Sequence, residues 1–266
     1  MGTRTGIEWT DATWNPVTGC TKVSAGCDHC YAEALATRRL HDVYTRRLPV
    51  VDSPANRRDP FAVRLWPERL KQPLKWAEPR MVFVNSMSDL FHRDVPEAFV
   101  CQIVDVMLKA NWHAYQVLTK RPARAARFWE RNRWRFGLPS IPAHIWIGTS
   151  VERQDVDYRV RHLRMMPAEV RFLSCEPLLG PMQIELDAIH WVIVGGESGP
   201  GHRPMELDWA RSIRDQCIAA EVPFFFKQVG GRTPKAGGRL LDGREWNELP
   251  ESYATTAAPR LLHSGR

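Results

Sequence analysis

Met81-Val-Phe-Val84, followed at once by Asn85-Ser-Met-Ser-Asp89, is the stretch from which the fold is read. Four consecutive apolar residues bounded by polar ones match a short strand covered on both faces. The unit recurs at Ala114-Tyr-Gln-Val-Leu118, His144-Ile-Trp-Ile147, Val170-Arg-Phe-Leu173, Trp191-Val-Ile-Val194 and Pro223-Phe-Phe-Phe226. Starts lie about 20 to 33 residues apart, and most intervals carry a helical pattern. In the first interval Asp94-Val-Pro-Glu97 reads as a capping box, and Phe99, Val100, Ile103, Val104, Met107 and Leu108 form one apolar stripe. Asp208 is likewise expected to precede a helix with Ala210, Ile213 and Cys217 turned inward.

Upstream, Ile7 to Pro16 reads as a first strand ending in the turn signal Asn15-Pro16. Tyr31 to Arg47 is predicted to be helical, with Ala32, Leu35, Ala36 and Leu40 near a 3.6 period. Residues 48 to 80 are rich in proline and charge, a covering segment with one short helix expected around Pro67 to Trp76. Counting the first strand gives seven βα-type units, hence an α/β fold: a parallel βα barrel, complete or partial. The chain is expected to form one domain over residues 1–250, with 251–266 as a poorly ordered tail.

Composition sets the class. A 266-residue chain with 44% hydrophobic and 25% charged residues is that of a soluble globular protein. No apolar run approaches the roughly 20 residues needed to span a bilayer. The opening Met1 to Trp9 lacks the apolar core of a signal peptide, so a cytoplasmic chain with reduced thiols is expected. Lys+Arg of 37 against Asp+Glu of 30 leaves +7, which permits an anionic partner without demanding one.

The residues just past each strand point to function. These exits are Asn85 to Asp89, Thr119-Lys120-Arg121, Gly148-Thr149-Ser150-Val-Glu152, Ser174-Cys175-Glu176, Gly195-Gly196-Glu197-Ser198 and Lys227-Gln228. In α/β barrels such exits converge on one face, where sites are built. An acid-rich lining there is expected to favour a cationic ligand.

Three of the six cysteines fall in Cys20-Thr-Lys-Val-Ser-Ala-Gly-Cys27-Asp-His-Cys30, a C-x6-C-x2-C loop directly after the first strand. Thiolates are soft ligands for iron and zinc. Structural zinc wants four ligands, and the nearby fourth candidates are Asp28, His29 and His41. A [4Fe–4S] cluster on three thiolates fits the count; zinc and three coincidental thiols are the alternatives. A helix starting at the last cysteine would aim its positive amino end at an anionic cluster. Cys101 and Cys217 read as core thiols, and Cys175 either lines the site or packs beneath it. His92, His113, His144 and His202 read as structural or solvated. The basic run from Arg121 to Arg135, with Trp129 and Trp134, reads as a solvated helix face or a nucleic-acid contact.

With these motifs in place, the sequence resembles the radical S-adenosylmethionine enzymes. More closely it is similar to their phage-associated relatives, the three-Cys-motif or phage Gp-type family of unknown activity. The matching stretches are TWNPVTGC, CDHCYAEALATR, VNSMSDLFH, LTKRP, GTSVE, SCEPLLG, GGESGPGHRPM and FFKQVGG, spread from about residue 7 to 250. The resemblance implies a [4Fe–4S] cluster on Cys20, Cys27 and Cys30, with the methionyl amine and carboxylate of S-adenosylmethionine chelating the open iron. Electron transfer would cleave the sulfonium to a 5′-deoxyadenosyl radical that abstracts hydrogen from substrate.

His29 stands where that superfamily places an aromatic residue beside adenine. Two departures matter: the usual first gap is x3 rather than x6, and the usual GGE follows the second strand rather than a late one. Asn85, Ser86, Ser88 and Asp89 are therefore expected to hold the methionyl end, and Thr149 and Ser150 the ribose. Glu176 and Glu197 complete the expected lining. Expected partners are this small-molecule cofactor, nucleic acid through Arg121 to Arg135 and a separate protein. The alternative function is a zinc-stabilised nucleic-acid-binding phage-type protein without catalysis.

Overall fold

The computed structural model describes residues 5–233 and 235–250. Its central sheet has seven parallel strands in the order β1-β4-β5-β6-β7-β8-β9, curled into a half-barrel. These are β1 Ala12–Thr13, β4 Met81–Val84, β5 Ala114–Thr119, β6 Ile145–Ser150, β7 Arg171–Cys175, β8 Trp191–Gly195 and β9 Phe224–Gln228. A separate antiparallel pair, β2 Val17–Thr18 with β3 Arg64–Leu65, lies beside the segment that follows β4, with Ser88 donating to the Val17 carbonyl. The helices are α1 Tyr31–Arg39, α2 His41–Thr45, α3 Pro54–Arg58, α4 Glu97–Lys109, α5 Pro122–Phe136, α6 Tyr158–Arg164 and α7 Leu207–Ala219. β1 and β9 are the two edges of the sheet, so the barrel is partial. No helix among the described residues is long and apolar enough to cross a membrane.

Strand alternation sorts the side chains into two cores. Val82, Val84, Val117, Ile145, Ile147, Leu173, Val192, Val194, Phe224 and Phe226 face the helices, packing with the inward faces of α4, α5, α6 and α7. Trp9, Met81, Phe83, Trp146, Phe172, Trp191, Ile193 and Phe225 fill the concave side. Trp191 is the hub of that inner core, with ring contacts to Trp9, Trp146, Phe172 and Phe225 at 5.8–6.3 Å. Aromatic rings therefore plug the half-barrel beneath the carboxyl ends of its strands.

Several boundaries differ from expectation. β6, β7 and β9 run on to Ser150, Cys175 and Gln228 because neighbouring strands continue the ladder, as in Thr119↔Thr149 and Ser150↔Ser174. The expected helix from Tyr31 to Arg47 breaks at Leu40, whose φ of −117° and ψ of 8° leave helical geometry. The helix expected around Pro67 to Trp76 is two single 3-10 turns, Pro67–Arg69 and Pro73–Lys75, since Pro73 lacks the N–H a continuous helix needs. Asp94 caps nothing: α4 starts after Pro96, which holds Val95 out of the helix. Asp208 lies inside the first turn of α7, bonded to Arg211. Within the covering segment Arg64 is fully buried and donates to the carbonyls of Arg47, Asn56, Asp59 and Ala62, which ties that segment to β3. The tail expected at 251–266 lies outside the described residues.

Candidate functional site at the strand exits

The cysteine loop lies across the open end of the half-barrel. Gly19 enters it with φ of +87°; a Cβ there would sit 2.2 Å from the Ala62 carbonyl oxygen, so only glycine fits. Its N–H donates to the Met87 carbonyl, and the Cys20 N–H donates to Phe61. Ala25–Cys27 forms a 3-10 turn, and Gly26 donates to Glu152 Oε1 at 3.2 Å. A Cβ on Gly26 would lie 2.9 Å from the Glu152 carboxyl carbon, so this glycine serves a close approach. Cys30 directly precedes α1, as expected from the sequence.

Two arginines pin the loop from opposite sides. Arg121, just past β5, donates through Nη1 to Asp89 at 2.8 Å and to Cys20 Sγ at 3.5 Å. Its Nη2 reaches the Thr21 carbonyl and Oγ1 at 3.0 and 3.2 Å. Behind it, buried His92 accepts the Asp94 N–H at Nδ1, so its proton sits on Nε2 and is donated to Thr21 Oγ1 at 2.8 Å. Burial and the Arg121 charge depress His92 to about 4, which keeps it neutral. On the other side Arg203 donates to the Ala25 carbonyl at 3.0 Å and lies 3.5 Å from Asp28. Arg203 also donates its N–H, Nε and Nη2 to Glu197 at 2.5–3.0 Å, and Glu197 bonds His29 Nδ1 at 2.8 Å. Burial would raise the Glu197 carboxyl, but the Arg203 and His29 bonds outweigh it and hold it down at about 2.

All six cysteines are free thiols. Burial pushes Cys20 up to about 11, assisted by the Asp89 and Cys27 charges and opposed by Arg121. Cys30 is also raised by burial, and the Cys27 charge adds to the shift. Among the described residues no three His, Cys, Asp or Glu side chains form a ready-made metal cage. The loop brings the thiols to one region without closing them around a point.

The residues expected to line a cofactor site divide by what already holds them. Asp89 is saturated: besides Arg121 it accepts from Phe91 N, Thr119 Oγ1 and Lys120 N at 2.7–3.0 Å. Ser86 bonds Asn15, and its carbonyl accepts from Tyr31 Oη. Ser88 donates to the Val17 carbonyl and accepts from Asn85 Nδ2 at 2.8 Å. Asn85 Oδ1 is buried without a partner. Thr149 lies on the helix side of β6, donating to the Thr119 carbonyl, and is not placed to meet a ligand. Ser150, by alternation, shares the inner side with Trp146. Glu176 pairs with Lys227 at 2.9 Å, and Gly195 leaves it room, since a Cβ there would lie 2.7 Å from its Oε1.

Cys175 proves to pack beneath the site, fully buried in the outer core with Cys101 and Cys217. The basic run divides likewise. Arg121 turns into the site, Arg124 donates to the Val95 carbonyl, and Arg131 and Arg135 pair with Glu97 and Asp105. Trp129 is core, whereas Trp134 is 80% exposed with Arg133 over its ring at 5.0 Å. Sequence reading placed Arg121, Glu152 and Lys227 among the strand exits without showing what they hold, and it gave Arg203 no role. A cation six residues after Glu197 in the same glycine-rich loop was the one available hint for Arg203.

The family described as protein of unknown function (DUF5131) matches residues 4–250, and the chain belongs to it. No curated protein matches the chain. Among solved structures it is similar to a spore photoproduct lyase complexed with dinucleoside spore photoproduct. That match has 10% identity and a TM-score of 0.44, over 81% of this chain and 65% of that one. The chain thus spans about 65% of the length of that protein.

Proposed function

We propose that this member of the family is an iron–sulfur protein of the radical S-adenosylmethionine type, with Cys20, Cys27 and Cys30 as ligands of a [4Fe–4S] cluster. The observation that supports it is the tethering of the three-thiol loop across the mouth of the half-barrel. Residues following β4, β5, β6 and β8 all hold it. The donor set fits such a group. Three soft thiols share one eleven-residue loop, and the side chains that could make a fourth zinc ligand are engaged elsewhere. His29 bonds Glu197, Asp28 faces Arg203 and His41 bonds Asp42. A cluster on three thiolates needs no fourth side chain.

When bound, such a cluster supplies one electron for reductive cleavage of a sulfonium. The chain's own residues bind, orient and exclude water. Asn85 Oδ1, a buried acceptor with no internal partner, suits the amine of S-adenosylmethionine, since an unmet buried acceptor gains most from a donor. Ser150 and the Glu176–Lys227 pair line the inner side, and the Trp191-centred aromatic floor closes it to water from below. The test is anaerobic preparation with iron supplied. About four irons per chain and a brown protein are expected, with both lost in Cys27→Ala. Dithionite reduction should then yield 5′-deoxyadenosine from S-adenosylmethionine. Stoichiometric zinc without iron overturns the reading.

A further inference from the structure

Arg121 opens a run of sequence that reads as a solvated helix face, yet its side chain is 14% exposed and spends four hydrogen bonds on three residues. Asp89, itself fixed by three further donors, orients the guanidinium from behind. The planar fork then reaches forward to Cys20 Sγ and to both oxygens of Thr21. An ammonium on a flexible stem could supply the charge but not this geometry. Thr21 is held a second time by neutral His92. The first ligand of the loop is thus the one whose sulfur receives a charged donor.

We propose that Arg121 is a positioning residue that fixes the Cys20 end of the loop and, by donating to its sulfur, raises the reduction potential of the cluster bound there. The second half rests on the iron–sulfur reading above. Hydrogen bonds to ligand sulfurs and nearby positive charge favour the reduced, more negative cluster. Removing Arg121 also leaves the Asp89 carboxylate facing Cys20, so the two effects have the same sign. Lys227 and Arg203 neutralise other carboxylates, and Arg203 meets the loop at the Ala25 carbonyl rather than at a sulfur.

Two measurements on wild type, Arg121→Lys and Arg121→Gln test it. Hydrogen exchange of the metal-free proteins should accelerate about tenfold over residues 17–24 in Arg121→Gln and less in Arg121→Lys, with α1 unchanged. An unchanged rate over 17–24 overturns the positioning role. In anaerobically reconstituted protein, a redox titration followed by electron paramagnetic resonance should show reduction disfavoured about tenfold in Arg121→Gln, a fall of about 59 mV for one electron. An unchanged or raised potential at equal iron content overturns the tuning role. Wild type that takes up no iron overturns the iron–sulfur reading and the tuning role together, while the exchange result still decides the positioning role.

Discussion

Replacing Glu197 by Gln tests whether the Glu197–Arg203–His29 lock holds the cysteine loop to the barrel. The carboxyl lies at about 2 against an ordinary 4.5. At about 1.4 kcal/mol per unit, that gap corresponds to roughly 3 kcal/mol in favour of the folded state. His29 and Arg203 are 43% and 30% exposed, so solvent screening reduces the figure to about 2 kcal/mol. Because the folded value is depressed, this contribution is complete above pH 4.5 and is lost as pH falls towards 2. Linkage puts about three-fifths of the loss above pH 3.

Thermal melts of wild type and Glu197→Gln from pH 7 to pH 3 provide the assay. At pH 7 the variant should melt about 4–8 °C lower, at 2–4 °C per kcal/mol for a chain of this size. Below pH 4.5 the two melting temperatures should converge, because wild type loses what the variant never had. Other carboxylates titrate in both proteins and cancel in the difference. A gap that stays constant from pH 7 to pH 3, or no gap at pH 7, refutes the lock.

Gly196→Ala would place a Cβ 1.8 Å from the Val229 carbonyl oxygen, a backbone atom that cannot swing aside. Melts should show a loss towards the upper end of the roughly 1–3 kcal/mol typical of overpacking, and an unchanged melting temperature would refute the close approach. Charge reversal at Arg127, Arg131 and Arg133 together should leave the affinity for a mixed-sequence duplex unchanged by fluorescence anisotropy. A tenfold weakening that grows at low salt would instead establish a nucleic-acid face.

The strands were legible because the physics that makes them is local. Short apolar runs such as Met81–Val84 and Trp191–Val194 are bounded by polar residues, and their spacing leaves room for helices between. Their far ends were not legible. Thr149 and Ser150 look like loop residues, and only the ladder partners in β5 and β7 extend the strand through them. The cysteine loop announced itself by spacing, and its place over the exits follows from the strand before it. Which exit groups remain open to a ligand could not be read, because their partners are remote in sequence: Asp89 from Arg121 by 32 residues, Glu197 from His29 by 168. An acid at a strand exit looks the same in a sequence whether it is free or already bonded.

That difference alters the electrostatics of the mouth. The sequence suggested an anion-rich lining that attracts a cation. In the folded chain each exit carboxylate has its own cation: Asp89 with Arg121, Glu152 with Arg159, Glu176 with Lys227 and Glu197 with Arg203. Paired charges cancel at a distance, so the lining would give no net pull on the sulfonium of the proposed cofactor, and selectivity for it would come from contact. The groups suited to contact are those the fold leaves short of partners or turned inward, Asn85 Oδ1 first among them, and Ser150. The four pairs act mainly on the protein itself. Three of them, through Arg121, Glu152 and Arg203, end on the cysteine loop at Cys20, Gly26 and Ala25. The acids that the sequence offers as ligands for a cofactor are thus, in the structure, largely the means by which the barrel holds its thiols in place.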